Sequence, residues 1–531
     1  MIQGKVSSRT LMKGALVLTI AAFVSKILSA VYRIPFQNIV GDVGFYIYQQ
    51  VYPFYGIFLA LSTYGFPVVI SRLLADRYDD NEEEASLVLQ AAFILLSVVG
   101  ICLFVSIYSG AKWMAVLMGD SELEPLLKVI SFSFLFLPFI SILRGYFQGK
   151  GDMLPTAVSQ IVEQSVRVTT ILICSFILIN EGYSLYLAGS GALFGSLTGG
   201  GATILVLVSF LLVRSQNKFS LKFKGRWKKS LELMKILGLH GFAICFSGML
   251  IVLLQFIDAF SVYTYLVQSG IAENEAKALK GVYDRGQPLI QLGTVVATSL
   301  SLIAVPLITA AHKKKDDRAV KENILLALKV SFIVGLGASF GLVNLVKPVN
   351  VMLFENSKDS SVIAVFCIAI LLCSLVLTLS SVLHGMGKLY LPAFIILMGI
   401  IIKFLLNAWL VPLFATMGAS LSTVIVLGLM TIGLIIVLRY VFPIPFLSKK
   451  FYLAASLALL GMTVILQAWL QIEEILLLIV TERVASTVLS LGGVVIGGVV
   501  YIFIVLNGNM LKDKEIELFP FGSKLMRLKR R

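Results

Sequence analysis

The chain has 531 residues, of which 58% are hydrophobic and 14% charged, and its formal net charge is +15 at pH 7. A soluble domain cannot hide that much apolar surface, so lipid must cover part of it, and an ordinary soluble enzyme or binding module is excluded. The positive charge alone would suit nucleic-acid binding, but its distribution along the chain argues against that interpretation.

About fourteen apolar stretches are long enough to cross a bilayer, since ~20 helical residues span ~30 Å of hydrocarbon. They predict an all-α polytopic membrane protein. In chain order the predicted spans are Leu11–Val31, Phe45–Leu73, Leu87–Tyr108, Leu126–Leu143, Leu154–Ile179, Tyr183–Val213, Ile236–Val267, Leu289–Ile308, Ile324–Val346, Val362–Val382, Leu391–Leu410, Ala415–Val441, Phe451–Leu470 and Val484–Leu506.

Lysine and arginine are concentrated at both ends of the chain and in alternate gaps between spans, most densely at Lys218–Lys229 and Lys313–Arg318. This alternation of basic residues between successive gaps is the positive-inside bias, and it predicts that both termini are cytoplasmic. We interpret the dense runs as determinants of membrane topology that also attract anionic lipid, rather than as a nucleic-acid-binding surface. The basic, apolar N-terminus resembles a signal peptide, but its length, the interrupting Lys26 and the later spans predict an uncleaved first span.

The chain contains two similar halves. Tyr48-Gln-Gln-Val-Tyr-Pro53 at the second span corresponds to Tyr283-Asp-Arg-Gly-Gln-Pro288 at the eighth, and Gln148-Gly-Lys-Gly151 corresponds to His384-Gly-Met-Gly387. Convergent turn chemistry is the alternative explanation. Six spans per half predict parallel repeats with a site between them at mid-depth. The predicted domains are an N-terminal lobe (1–225), a C-terminal lobe (226–445), two extra spans (446–510) and a basic cytoplasmic tail (511–531).

Charged residues interrupt several of the apolar spans. A charge at the bilayer centre costs roughly 2.5–3.5 kcal/mol on insertion scales, so such side chains normally face a protein interior or a wet cavity. The sequence therefore predicts a polar pathway within the membrane. The residues on which this prediction rests are Lys26, Glu163, Arg167, Asp258 and Lys403.

The fifth span carries a polar stripe in which Glu163 and Arg167, four residues apart, can pair within the helix. The alternative is a structural ion pair that fastens one lobe. Gly191, Gly195 and Gly199 on the sixth span, spaced four apart, predict close helix packing.

Candidate anion contacts are the basic side chains of the first and eighth spans, because an arginine fork matches phosphate oxygens. Arg33 and Arg285 lie near the ends of their spans, so interfacial anchoring is their alternative role. The predicted substrate cavity comprises Lys26, Arg33, Asp258, Arg285, Gln287 and Gln291. The predicted structural or coupling charges are Glu163, Arg167, Asp284 and Lys403.

Signatures of catalysis are lacking: there is no phosphate-binding loop, no His-Glu-x-x-His and no paired metal ligands, and the three histidines are isolated. The sequence predicts no enzyme, no metal site and no cofactor. Coupling to Na⁺, H⁺ or the membrane potential is left open.

The architecture, the Tyr283-Asp284-Arg285 entry to the eighth span and the paired Gly-x-Gly turns resemble the multidrug/oligosaccharidyl-lipid/polysaccharide (MOP) exporter superfamily. The resemblance covers the whole chain and is strongest to the polysaccharide transporter branch with stage V sporulation protein B-like proteins and lipid II flippases. It implies two six-helix lobes around a V-shaped cavity, with two trailing helices that offer a groove for a polyprenyl tail.

The resemblance also implies roles for basic residues in the first, second and eighth spans. Arg285 matches the family's eighth-span arginine, Lys26 stands where the family has an arginine, and Arg33 aligns approximately with a second one. The second-span arginine has no counterpart, because Tyr52–Leu61 carries no charge.

These features predict a flippase in a bacterial plasma membrane. It would move an undecaprenyl-diphosphate-linked saccharide, such as a peptidoglycan precursor, to the outer leaflet by alternating access. Its partners would be that substrate and membrane lipids, without nucleic acid. A cation-coupled multidrug exporter of the same fold is the main alternative, and a membrane-embedded transferase or a non-transporting scaffold are two others. The saccharide, coupling ion and oligomeric state are not determined by the sequence.

Overall fold

The computed structural model describes residues 8–75, 82–214, 226–445 and 447–516, together with residue 526. Every regular element in these ranges is a helix. The positively charged start of the chain, most of the Lys218–Lys229 run and most of the basic tail lie outside the described residues, so the topology that they predict stays a prediction.

The chain divides into two compact units, Met1–Asp284 and Arg285–Arg531. A π-helical segment, Ala60–Gly65, joins the second and third helices of the first unit. The helices of this unit are α1 (Ser8–Val31), α2 (Arg33–Leu59), α3 (Phe66–Ala75), α4 (Glu82–Leu117), α5 (Glu124–Ser131), α6 (Leu137–Gly149), α7 (Leu154–Asn180), α8 (Leu185–Arg214), α9 (Trp227–Gly248), α10 (Leu250–Gln268) and α11 (Glu273–Asp284).

The second unit begins with the helix that carries the predicted eighth span. Its last long helices are the two predicted extra spans, which pack on each other and on the long helix after residue 316. The helices are α12 (Gly286–Lys313), α13 (Asp317–Phe354), α14 (Ser360–Cys367), α15 (Ala369–Gly385), α16 (Tyr390–Val441), α17 (Lys449–Leu470), α18 (Glu473–Leu477), α19 (Glu482–Asn507) and α20 (Asp513–Ile516).

Twelve segments of the described chain are long and apolar enough to cross a membrane. Two of them are each divided by a residue with non-helical backbone, Gly41 (φ 69°) and Ala415 (φ 49°), which raises the number of helices to fourteen. The prediction of an all-α membrane protein with about fourteen transmembrane helices is confirmed. The predicted seventh span, however, consists of two helices, α9 and α10, that meet at Met249.

The first span is longer than the sequence predicts. The backbone stays helical through Tyr32 (φ −61°, ψ −25°), so α1 continues into the first residues of α2 and ends only at Gly41. Positive φ is accessible to glycine at little cost, which explains the break at this position. Arg33, predicted to lie near the outer end of the first span, therefore lies inside a helix.

The sixth-span glycines position α7, the helix with the polar stripe. A Cβ added to Gly195 would lie 2.9 Å from the carbonyl oxygen of Arg167, and one added to Gly199 would lie 2.9 Å from that of Glu163. The backbones of α7 and α8 thus touch at the level of both charged residues. The predicted close packing is confirmed at these two positions.

The division of the chain at Asp284 reflects the packing of α9, α10 and α11 on α2, α3 and α4. Gly281 of α11 faces the carbonyl oxygen of Asp42, only 2.1 Å from where a Cβ would lie. The predicted lobe boundaries at residues 225 and 445 stay predictions.

Candidate functional site

The polar stripe of α7 is buried in the first unit rather than exposed to lipid. Thr156, Gln160, Glu163 and Arg167 are all less than a tenth exposed. Buried ionisable groups normally have hydrogen-bond or ionic partners. Two different sets of partners surround Glu163 and Arg167.

Glu163 pairs with Arg144 of α6, not with Arg167. Arg144 Nη2 lies 2.7 Å from Glu163 Oε2, and both side chains are buried. The Arg144 guanidinium also donates to Thr63 Oγ1 at 2.7 Å and to Ser159 Oγ at 3.2 Å. The expected pairing of Glu163 with Arg167 within α7 is wrong, because the guanidinium of a neighbouring helix occupies the carboxylate.

Arg167 is fully buried among tyrosines. Its Nη2 donates to the hydroxyl oxygens of Tyr32 at 3.0 Å and Tyr48 at 2.9 Å, and those two hydroxyls are 2.8 Å apart. Its guanidinium carbon lies 4.0 Å from the ring centroid of Tyr55. Cation–π contacts of this kind are strongest where water is excluded.

Arg33 belongs to the same group of side chains. Its guanidinium carbon lies 4.3 Å from the ring centroid of Tyr52, and that of Arg167 lies 5.5 Å from the same centroid. Arg33 is fully buried, so its alternative role as an interfacial anchor is not supported. We call this group the arginine–tyrosine cluster, and it consists of Arg33, Arg167, Tyr32, Tyr48, Tyr52 and Tyr55.

Lys26 lies two turns before Arg33 on the continuous first span and is half-buried. Residues seven apart lie on the same face of a helix. The side chains of Lys26 and Arg33 therefore point to one side of the first span, and α1 packs on α7.

A second buried group joins α10 and α11. The Tyr283 hydroxyl donates to Asp258 Oδ2 at 2.8 Å, and Lys280 Nζ lies 2.6 and 2.7 Å from the two carboxylate oxygens of Asp284. Helix α11 is outside the twelve candidate spans. Burial raises the pKa of Asp284 to about 6, and the neighbouring Lys280 ammonium opposes that rise.

Arg285 opens the second unit as the residue before α12. It is fully buried, and its Nη1 donates to Asn350 Oδ1 at 3.1 Å and to Asn356 Oδ1 at 2.8 Å. On α12 itself, Gln287 is buried and Gln291 is half-buried. One guanidinium nitrogen of Arg285 therefore contacts both the end of α13 and the turn that follows it.

Lys403 of α16 is fully buried, and its partners come from beyond the break at Ala415. Its Nζ donates to Thr423 Oγ1 at 2.8 Å and to Ser422 Oγ at 3.3 Å. Ser422 also donates to Asn407 Oδ1. The sequence showed no partner for Lys403 because the kink that folds these segments together cannot be read from hydropathy.

The structure divides the predicted site residues between the two units. Lys26, Arg33, Glu163, Arg167, Asp258 and Asp284 lie in the first unit, and Arg285, Gln287, Gln291 and Lys403 lie in the second. Sequence reasoning missed two buried cations, Arg144 and Lys280, because Arg144 directly follows a predicted span and Lys280 lies in the loop predicted between the seventh and eighth spans. Arg144 is buried because α6 continues to Gly149, six residues past the predicted end of the span.

Residues 11–312 match the model of a family described as polysaccharide biosynthesis protein. The chain belongs to this family.

Three proteins of Bacillus subtilis are similar to this polysaccharide biosynthesis family member. The uncharacterized membrane protein YabM is 42% identical over 98% of this chain and 96% of its own length. The lipid II flippase MurJ is 26% identical over 87% of this chain and 89% of its own. The stage V sporulation protein B is 27% identical over 62% of this chain and 64% of its own.

Solved structures confirm the fold of this family member. A lipid II flippase MurJ in an inward closed conformation matches with a TM-score of 0.64 at 17% identity, over 92% of this chain and 98% of that one. An inward-facing multidrug resistance MATE family transporter of the MOP superfamily matches with a TM-score of 0.63 at 16% identity, over 78% and 93%. With the sequence relatives, these matches place the chain in the MOP exporter superfamily, as predicted.

Proposed function

We propose that this chain is a flippase for an undecaprenyl-diphosphate-linked saccharide, such as a peptidoglycan precursor or a related polysaccharide intermediate. It would carry the head group from the inner to the outer leaflet by alternating access while the lipid tail stays in the bilayer. The sequence relatives that support this proposal are a lipid II flippase and a sporulation protein.

The observation that carries the proposal is the arginine–tyrosine cluster. Arg33 and Arg167 are fully buried and contact one tyrosine ring. A diphosphate crossing a membrane must exchange its water for fixed positive charges and hydrogen-bond donors, because an unpaired ion in a low-dielectric interior is very costly. Guanidinium groups meet that need with forked donors. Lys26 adds a third cation on the same side of the first span.

The membrane potential is the proposed driving force. A potential that is negative inside favours outward movement of an anion by ~2.3 kcal/mol per charge per 100 mV. Coupling to Na⁺ or H⁺ through Asp258 or Glu163 is the competing proposal. Both carboxylates have partners, since Glu163 is contacted by Arg144 and Tyr55 and Asp258 accepts from Tyr283.

The proposed location is a bacterial plasma membrane with both termini in the cytoplasm. The proposed partners are the lipid-linked saccharide and membrane lipids. Large apolar side chains such as Leu205 and Trp409 are about two-thirds exposed, as expected of helices that face lipid.

A cation-coupled drug exporter of the same fold is the alternative. Sites for cationic drugs favour acidic and aromatic side chains with free ring faces. Here the Tyr52 and Tyr55 rings already contact the protein's own guanidinium groups. That arrangement favours an anionic substrate.

A depletion strain tests the proposed function. Lipid-linked precursors are extracted after depletion and separated by mass, and we expect one diphosphate-linked saccharide to accumulate. A drug-susceptibility panel on the same strain separates the alternative. Hypersensitivity to cationic drugs without precursor accumulation would contradict the flippase assignment.

A further inference from the structure

Arg167 differs from the other buried arginine that contacts α7. Every contact of its guanidinium within the described residues is with an uncharged group, namely Gln164, Tyr32, Tyr48 and nearby rings. Arg144, by contrast, is neutralised by Glu163 at 2.7 Å. Arg144 thus has a buried counter-ion, whereas the contacts of Arg167 are neutral.

The hydrogen-bond inventory around Arg167 has an excess of donors. Arg167 Nε and Gln164 Nε2 are both buried, and neither has an acceptor within the described part of the chain. The orientation of the Gln164 amide follows from chemistry, because its Oε1 accepts from Arg167 Nη1 at 3.3 Å and a guanidinium can only donate. Two hydrogen-bonded side chains therefore each carry an unused donor, and one of the two donors is cationic. Buried donors normally have an acceptor, so the group that completes this pair is an acceptor.

The position of Arg167 along its helix indicates which acceptor that is. Arg167 is the central residue of α7, with thirteen residues before it and thirteen after it. At 1.5 Å per residue it lies about 20 Å from either end of the helix, which is the middle of the bilayer for a helix of this length. A charged head group that crosses between leaflets must pass this depth.

We propose that Arg167 and Gln164 bind the diphosphate of the transported lipid at mid-membrane, an inference that rests on the proposed function. In this structure the Tyr32 and Tyr48 hydroxyls occupy the acceptor positions on Arg167 Nη2. When substrate binds, phosphate oxygens replace them as acceptors, and the hydroxyls turn to donate to the phosphate. Arg33, on the shared Tyr52 ring, faces the same anion. Arg167 is then an anion-binding residue rather than a structural one.

The test measures binding of undecaprenyl diphosphate to the purified full-length protein in nanodiscs, with uncharged undecaprenol as the reference lipid. We expect Arg167→Gln to weaken diphosphate binding at least tenfold and Gln164→Leu to weaken it severalfold. Neither variant should change undecaprenol binding. The control is Arg214→Gln, because Arg214 is a partly exposed arginine of the same unit at the end of α8 and should bind like the wild type.

A thermal unfolding midpoint without ligand separates a binding role from a structural one. Arg167 has only neutral contacts, so its removal leaves no carboxylate without a counter-ion. Arg167→Gln should therefore unfold at or above the wild-type temperature, whereas Arg144→Gln should unfold well below it. Wild-type affinity in Arg167→Gln, or a loss of stability as large as that of Arg144→Gln, overturns the inference. If the wild type itself does not prefer undecaprenyl diphosphate to undecaprenol, the proposed function fails with it.

Discussion

Arg144 and Glu163 form a salt bridge of 2.7 Å between α6 and α7, and both side chains are almost completely buried. The bridge consumes the carboxylate of α7 and so separates the two charged residues of the polar stripe into different environments. Glu163 links α7 to α6, whereas Arg167 is surrounded by tyrosines.

The first prediction concerns this bridge. Removing one partner of a buried ion pair typically costs about 3–5 kcal/mol, because the remaining charge stays buried without a counter-ion. We expect Arg144→Gln and Glu163→Gln each to lower the thermal unfolding midpoint strongly. The double variant should be less destabilised than the sum of the two, since no charge is stranded in it. Additive losses would show that the two side chains do not act as a pair.

The second prediction concerns the contact between α11 and α2. A Cβ at Gly281 would lie 2.1 Å from the backbone oxygen of Asp42, a distance that only backbone movement can relieve. We expect Gly281→Ala to lower the unfolding midpoint and the yield of folded protein. The matched control is Gly201→Ala on α8, where no atom lies within 4 Å and alanine gains up to ~1 kcal/mol of helix propensity. Equal stability of the two variants would contradict this packing.

The third prediction is a pH dependence at Asp284, whose pKa is raised from 3.8 to about 6, first by burial. The folded chain therefore binds this proton more tightly than the unfolded chain. The contribution of Asp284 to the free energy of unfolding should fall, by on the order of 3 kcal/mol, as pH rises from about 4 to about 6, and then stay constant. The measurement is the difference in unfolding midpoint between the wild type and Asp284→Asn across this range. A difference that is flat or rises with pH would contradict the assignment.

The fourth prediction concerns Lys26 and Arg285, the two candidate substrate contacts that the family resemblance implies. A hydrogen bond to a charged group is worth about 1.5–3 kcal/mol, so losing one should slow transport roughly tenfold or more. We expect Lys26→Ala and Arg285→Ala to show such losses in reconstituted liposomes. Because Arg285 also binds Asn350 and Asn356, its variant needs a stability measurement beside the transport rate.

The controls for that experiment are residues of the same types on helix surfaces. Lys128 and Arg318 both form i,i+4 pairs on helix surfaces, and the Arg318 side chain is 90% exposed. Lys128→Ala and Arg318→Ala should transport at the wild-type rate, since surface ion pairs contribute little. Wild-type transport by Lys26→Ala and Arg285→Ala would remove both residues from the substrate site.

The sequence predicts the helices of this protein well, because a run of about twenty apolar residues has few other stable structures in a membrane. The sequence predicts poorly which side chains contact each other in the interior. The pairing of Glu163 with Arg144 joins two helices whose relative rotation no local pattern specifies. Lys403 finds Ser422 and Thr423 only because the chain breaks at Ala415, a residue that rarely adopts positive φ.

Span ends were the other source of error. Arg33 and Arg144 stand within two residues of the end of a predicted span, and Lys280 lies in a polar segment between two spans, so hydropathy cannot separate these buried charges from loop charges. The structure buries all three. Helical continuity through Tyr32 and through α6, rather than hydropathy, decides the position of the first two.

Transport of a labelled undecaprenyl-diphosphate-linked saccharide by the wild-type protein tests the central claim most directly. The protein is reconstituted in liposomes, a potential that is negative inside is imposed, and the fraction of label that reaches the outer leaflet is followed by an impermeant reagent. The account predicts protein-dependent flipping that accelerates with the potential. Flipping no faster than in protein-free liposomes, with or without the imposed potential, would contradict it.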